Sequence, residues 1–378
     1  MAASLANEIG KFAFNLVENG HVVTCTGGIR IEKIRSGSSV RKRGQCDRFT
    51  LRIPYGGTKL NWEVLFNGHE PHLPPDIIFD DADADFEPKL EEMLSLQCWN
   101  PEDHGSLMAV IKELLEQYKK HQLELLKESS PIIQHEFESV HELSTCTIIE
   151  VFVLRNSKGI VQQINFLMKL PIDLDRLPPY LINKNLGEDS ISLFVVYQGC
   201  DGNNVSPQVY LSPRVEHAFS DVSLLNYPKW KDSGESLVSY IMAVHEFFNA
   251  KIDEITTSFE RRRKYVAAFL SSFGTCVLEY DVERYSTLSF LVEFDYFYCI
   301  WTIEIGLEFP EEQPLFIMKS VYHCFDDKPY EAIDDNYPYS PRWGADEMAR
   351  RARTYLATAI PRFKAASIKN KPYQPPGL

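Results

Sequence analysis

Thiols are the side chains in this sequence best suited to covalent or metal chemistry. The eight cysteines (Cys25, Cys46, Cys98, Cys146, Cys200, Cys276, Cys299 and Cys324) are scattered singly. None forms a CxxC pair or a Cys/His group at zinc spacing, and several sit in apolar strand-like runs where a free cysteine acts as a small core residue. His69 and His72 flank Glu70-Pro71 without a third ligand at useful spacing, so they read as surface histidines of a turn rather than a metal site. Gly27-Gly28 and Gly56-Gly57 read as turns, and no Gly-rich phosphate loop, GxSxG elbow or HExxH pattern occurs. No cofactor is expected. Two basic runs, Arg41-Lys42-Arg43 and Arg261-Arg262-Arg263-Lys264, read as solvated loop or helix faces, with contact to an acidic partner as the alternative. The net charge of −14 argues against nucleic-acid binding through phosphate neutralisation.

The elements that must position any site come from the hydrophobic pattern. A chain of 378 residues with 44% hydrophobic and 12% aromatic content is globular and suits two or three domains. It has no secretory signal and no apolar run of membrane-spanning length, so a reduced, intracellular protein without a membrane partner is expected. Residues 70–118 set the plan. Leu73-Pro74-Pro75 interrupts a strand, because proline donates no ladder hydrogen bond and restricts its predecessor. Ile77-Ile78-Phe79 is a short strand, an acidic connection follows, and Trp99-Asn100-Pro101 precedes a helix carrying Leu107, Val110, Ile111, Leu114, Leu115 and Tyr118 at helical spacing. The order returns near the C-terminus. There Phe309-Pro310 and Pro314 bracket a break, Leu315-Phe316-Ile317-Met318 is the short strand, and Ser340-Pro341-Arg342-Trp343 precedes a last helix.

The rest of the chain fits a repeated α+β module. The first, 1–130, opens with a helix that buries Leu5, Ile9, Phe12 and Leu16 and stops at Asn19-Gly20. Strands follow at 29–34, 48–53 and 60–66, the last two joined by a turn at Tyr55-Gly56-Gly57. The second, 131–256, is the least regular. Pro131 starts its helix over 132–143, strands read at 147–154, 163–170, 191–197 and 208–211, and Leu177-Pro178-Pro179 echoes the first proline break. From 235 to 273 there is no Gly or Pro, and the apolar spacing predicts one long helix or two with a bend near Thr256-Thr257; a single one would span about 55–60 Å. The third, 257–368, has strands at 276–280, 287–293 and 298–305, with the aromatic run Tyr296 to Trp301 as sheet core. The polar, proline-rich tail 369–378 is expected to fray.

Helix, antiparallel meander, proline turn, Trp-Pro segment and helix together resemble the ubiquitin-conjugating-enzyme fold, and above all its catalytically inactive variants (UEV) and the RWD domains. Active members follow the short strand with His-Pro-Asn and then a cysteine, exposed as a thiolate and assisted by the asparagine. Here Asp80-Asp81-Ala82-Asp83-Ala84-Asp85 fills that gap, and Cys98 lies directly against Trp99. Tyr322-His323-Cys324-Phe325 is a partial echo with cysteine in the proline's place and no asparagine. The resemblance therefore implies tandem UEV/RWD-like modules without catalytic residues, joined by a long helix.

The match narrows further. Cys46-Asp47-Arg48-Phe49, Ile53-Pro54-Tyr55, Tyr210-Leu211-Ser212-Pro213-Arg214-Val215-Glu216-His217-Ala218, Ser320-Val321-Tyr322-His323 and Asn336-Tyr337-Pro338-Tyr339-Ser340-Pro341-Arg342-Trp343 resemble the brain- and reproductive-organ-expressed (BRE) family. Its members are subunits of the BRISC deubiquitinase and of the related breast-cancer-susceptibility A complex. The resemblance implies a non-enzymatic, cytoplasmic and nuclear scaffold. Its partners would be a JAMM-type zinc deubiquitinase, an Abraxas-like subunit and a MERIT-like von Willebrand A subunit, with polyubiquitin as a further contact. In UEV relatives the proline-rich turns take extended peptides, which marks Leu73, Pro74, Pro75, Tyr339, Ser340, Pro341 and Trp343 as candidate partner-binding residues; shaping the turn is the competing role of the prolines. A free-standing ubiquitin or peptide receptor, and an active conjugating enzyme using Cys324, are the alternative functions.

Overall fold

The computed structural model describes residues 5–37, 46–142, 148–156, 158–179, 181, 189–219, 226–230 and 236–376. Arg41, Lys42, Arg43 and Cys146 lie outside the described residues. The architecture is α+β, with three antiparallel sheets and helices before and after each. The chain forms two compact units, Met1–Leu174 with Asn183–Asn249, and Asp175–Ile182 with Ala250–Leu378.

The first unit opens with α1 (Asn7–Asn19), which buries Ile9, Phe12, Ala13 and Leu16 along one side. Strands β1 (Arg30–Arg35), β2 (Arg48–Tyr55), β3 (Thr58–Leu65) and β4 (Asp76–Ile78) then pair in sequence order. Each lies within two residues of its predicted position, because the signal is a strict alternation. Phe49, Leu51 and Ile53 on β2 and Leu60, Trp62 and Val64 on β3 all point into the core. Gly56 and Gly57 join β2 to β3 with φ of +53° and +76°, the left-handed pair that a two-residue hairpin needs. After the short helix α2 (Leu94–Gln97), α3 (Ser106–Ser129) lays Leu107, Val110, Ile111, Leu114 and Tyr118 on the sheet. Trp62, Phe86 and Tyr118 meet there edge-on or stacked, with ring centroids 5.1–6.4 Å apart.

The same unit continues with α4 (Pro131–Glu142) and a second sheet of β5 (Ile148–Arg155), β6 (Val161–Leu170), β7 (Ile191–Gln198) and β8 (Val205–Leu211), again in sequence order. Strand β7 is buried at every position from Ile191 to Tyr197, so both of its faces are covered. On one face Phe166 packs on Phe137 of α4 and on Tyr197. The other receives the β2–β3 hairpin: a Cβ on Gly57 would lie 2.2 Å from the Phe194 ring, and one on Gly56 2.6 Å from Phe152. The Glu150 carboxylate accepts the Gly56 and Cys25 N–H groups, both at 2.7 Å, and Asn165 Nδ2 donates to the Gly56 carbonyl at 3.0 Å.

After α5 (Pro213–Ala218), α6 (Leu237–Phe273) is a single helix of 37 residues that continues through Thr256-Thr257. Its apolar stripe, free of Gly and Pro, is what makes so long an element legible. In the second unit β9 (Val277–Tyr280), β10 (Thr287–Phe294), β11 (Phe297–Glu304), β12 (Leu315–Phe325) and β13 (Lys328–Asp334) form the third sheet, closed by α7 (Ala345–Lys369). Phe297, Cys299, Trp301 and Ile303 point inward from β11 onto Phe269, Phe273 and Phe290. Two features differ from expectation. The short strand at 315–318 runs on to Phe325 and returns as β13 through Asp326-Asp327, both at positive φ. The tail is also held: Tyr373 donates to buried Asp334 at 2.8 Å, Tyr330 donates to the Lys371 carbonyl at 2.6 Å, and Asn336 Nδ2 to the Pro376 carbonyl at 3.4 Å.

Candidate functional site

The two proline turns are placed in different compact units. At the first, Leu73 and Pro74 are exposed while Pro75 is buried. The turn is held from behind by Trp99, whose indole N–H donates to the His72 carbonyl at 2.9 Å and whose ring sits 5.2 Å from Phe12. At the second, Tyr339 and its neighbour Tyr337 are spent on the fold. Their hydroxyls donate at 2.5 Å to the carbonyls of Pro310 and Pro314 respectively, closing the segment over the proline break. Ser340 accepts the Trp343 N–H at its carbonyl, Arg351 lies over the Trp343 ring at 4.0 Å, and Pro341 is exposed. Of the seven candidate residues, Leu73, Pro74 and Pro341 present the most side chain to solvent; the others also shape the turns.

The segment after β4 is fastened down by acidic side chains. Asp83 is 9% exposed and accepts the Tyr118 hydroxyl at 2.7 Å. Burial pushes its carboxyl above the usual aspartate value, although the bond from Tyr118 pulls the other way. Further along, Glu113 accepts the Leu94 and Ser95 N–H groups and the Ser95 hydroxyl, bonds that hold its carboxyl below the usual range. Gln117 accepts the Lys89 N–H. The acidic run at 80–85 thus includes one buried anchor, Asp83, that composition alone does not distinguish from its solvated neighbours.

Cys98 caps the four-residue helix α2, and Cys324 lies near the exposed end of β12, opposite Pro329. The ring of His323 is engaged elsewhere, with Nδ1 3.0 Å from Ser367 Oγ and 3.4 Å from Ser320 Oγ. Cys299 is a core thiol, pushed up to about 12 by burial and so held as the unreactive protonated form. No group of three His, Cys, Asp or Glu suited to a metal ion occurs among the described residues, and no described helix is long and apolar enough to cross a membrane. In the run 261–264, Arg262 is only 3% exposed, whereas Arg261 and Arg263 pair with Glu311 and Glu260 at 3.9 and 3.2 Å. The middle arginine is therefore part of the packing rather than of a solvated face.

A surface that sequence reading missed lies on the third sheet. Its helix-facing side is core, but cross-strand register puts Leu315, Ile317, Ile300, Leu291 and Ile333 on the opposite side, with Leu315 41% and Ile333 59% exposed. Lys319 and Glu331 pair across β12 and β13 at 2.9 Å beside them. Apolar side chains gathered on an open sheet face, rimmed by charge, are a common mark of a protein-binding surface. The alternation that would have exposed this face was obscured because β13 was not recognised as a strand.

Comparison with known proteins finds relatives along almost the whole chain. The family model described as "Brain and reproductive organ-expressed protein (BRE)" matches residues 5–324. A protein of Branchiostoma floridae named "BRISC and BRCA1-A complex member 2" is 37% identical over 368 residues, covering 96% of each chain. One of Danio rerio with the same name is 34% identical over 373 residues, covering 97% of this chain and 96% of its own. Matched along almost its whole length, this chain belongs to the BRE family.

Proposed function

We propose that the chain is a non-catalytic scaffold subunit of a JAMM-type deubiquitinase assembly of the BRISC kind, one that processes signalling polyubiquitin chains. In this reading it joins a MERIT-like von Willebrand A subunit to the Abraxas-like and JAMM core and works in the cytoplasm and nucleus. The observation that carries the proposal is the near full-length correspondence with two relatives whose names make them members of BRISC and BRCA1-A complexes. The chain itself supplies surfaces rather than a reaction centre: the exposed parts of the proline turns at Leu73, Pro74 and Pro341, and the open face around Leu315 and Ile333.

The reading extends to three tandem UEV/RWD-like modules, 1–130, 131–256 and 257–368, with a tail at 369–378. Its support is the shared order of parts. Each sheet is a sequence-ordered antiparallel meander with a helix before and after it: α1 and α3, α4 and α6, α6 and α7. Such a chain would act as a strut, with each partner contacting a folded surface.

The test is Ile333→Lys in the full-length chain, with affinity capture of its partners. Ile333 is 59% exposed, so the variant is expected to melt within about 1 kcal/mol of the wild type while losing one subunit from the captured assembly. Retention of every subunit by Ile333→Lys and by Leu315→Lys would remove this face from the proposal.

A further inference from the structure

Although the chain carries a net charge of −14, one groove in the first unit is lined by cations. It has a volume of about 840 Å³ and runs between the outward face of the first sheet and one end of the second. Arg30 of β1 and Lys59 of β3 stand on its first wall, both exposed and neither in an ion pair among the described residues. Its floor is a row of directly paired residues, Lys169, Ser192 and Tyr210, on β6, β7 and β8. Among the described residues, Glu18 is the one acidic side chain in the lining. In the middle of the floor, Ser192 is 1% exposed and its hydroxyl has no hydrogen-bond partner among the described residues. A buried donor left unmatched costs roughly 1–3 kcal/mol, so a group that accepts from it is favoured on that ground alone.

Two further observations decide what kind of ligand fits. The groove ends at Tyr210 and Leu211 of β8, and β8 is an edge strand of its sheet. An extended segment lying there can add main-chain hydrogen bonds to the strand while its alternate side chains reach the floor and the wall. Arg30 and Lys59 also form no ion pair among the described residues, so their charge remains available to whatever enters. We propose that this groove binds an extended, acidic peptide segment of a partner protein, with carboxylates received by Arg30, Lys59 and the Ser192 hydroxyl. The site does not depend on the scaffold role: it would serve equally in a free-standing chain.

The direct test is fluorescence anisotropy on the full-length chain with a fluorescein-labelled eight-residue peptide alternating glutamate with leucine and serine. A peptide of the same pattern with lysine for glutamate serves as control, and inorganic phosphate as competitor. The acidic peptide should bind, weaken with added salt, and lose about tenfold in affinity in the Arg30→Glu/Lys59→Glu double variant, about 1.4 kcal/mol. The basic peptide should not bind. Ser192→Ala, which removes only the unmatched hydroxyl, should melt at or above the wild-type temperature and bind several-fold more weakly. Equal affinity in wild type and double variant, or no binding of the acidic peptide by the wild type, would overturn the proposal. Complete displacement by millimolar phosphate would also overturn it, since the groove would then be a site for a small anion rather than a peptide.

Discussion

Glu150 shows how much a single buried group contributes to the first unit. Its carboxyl sits where the β2–β3 hairpin meets the second sheet and accepts two backbone N–H groups. Burial nevertheless dominates and raises it from 4.5 to about 7, against the pull of those bonds and of Lys119. An acid raised in the folded state holds its proton while the unfolded chain releases it. Stability is therefore fully present below about 4.5, falls between 4.5 and about 7, and is flat above, a loss on the order of 3 kcal/mol. Urea midpoints for this unit should decline across that interval in the wild type, and Glu150→Gln should flatten the decline; equal slopes in both would contradict the assignment. Gly57 is the second sensitive residue of the junction. Gly57→Ala places a Cβ 2.2 Å from the Phe194 ring at φ +76°, so it should cost about 2 kcal/mol or more. A melting temperature equal to the wild type's would show that the hairpin tip does not dock on β7. The glycines were legible as a turn, but nothing in the residues around Glu150 marked it as a buried acceptor, because its donors Cys25 and Gly56 are distant in sequence.

Among the elements, strong periodicity was readable and weak periodicity was not. β2 and β3 alternate without a break, α6 has no helix breaker, and Pro131 starts α4 where a fixed φ suits the first turn. The hairpin of β12 and β13 was missed because its far half, Val321 to Phe325, is exposed or half-exposed throughout and shows no inward face. The tail was read as frayed from its composition, yet Tyr373 and Tyr355 both donate to buried Asp334, 2.8–3.0 Å away, and join α7, β13 and the tail. Desolvation and the Asp334 charge push both phenols well above the ordinary tyrosine value, so neither ionises at physiological pH. Tyr373→Phe should destabilise the second unit by about 1–2 kcal/mol, because a hydrogen bond to a charged acceptor is lost. Calorimetry of the full chain checks this; an unshifted transition would mean the tail is not held by that bond. The candidate turn residues were found correctly as turns, whereas the roles of Tyr337 and Tyr339 as clamps on Pro314 and Pro310 depended on contacts that no local pattern encodes.

At the scale of the whole molecule, the chain is an α+β protein of three antiparallel sheets with helices before and after each. Its acidic connection is pinned by Asp83 and Glu113, Cys299 is locked in the core, and the surfaces proposed above to meet other polypeptides are an open sheet face and a cationic groove. The family was legible from short segments such as residues 210–218 and 336–343, and these prove to be structural: Arg214 and Ser212 both engage Asp189, at 2.6 and 3.1 Å, and so fix α5 to the start of β7. The scaffold role proposed above makes the behaviour of the chain depend on its partners. The most direct measurement is affinity capture of the full-length chain from cells, followed by size-exclusion chromatography and quantitative mass spectrometry of the eluted peak. The account predicts a single stoichiometric complex that contains a zinc-dependent deubiquitinase together with Abraxas-like and von Willebrand A-like subunits. Elution of the chain alone, or as a species carrying a thiol-sensitive ubiquitin adduct on Cys324, would contradict it.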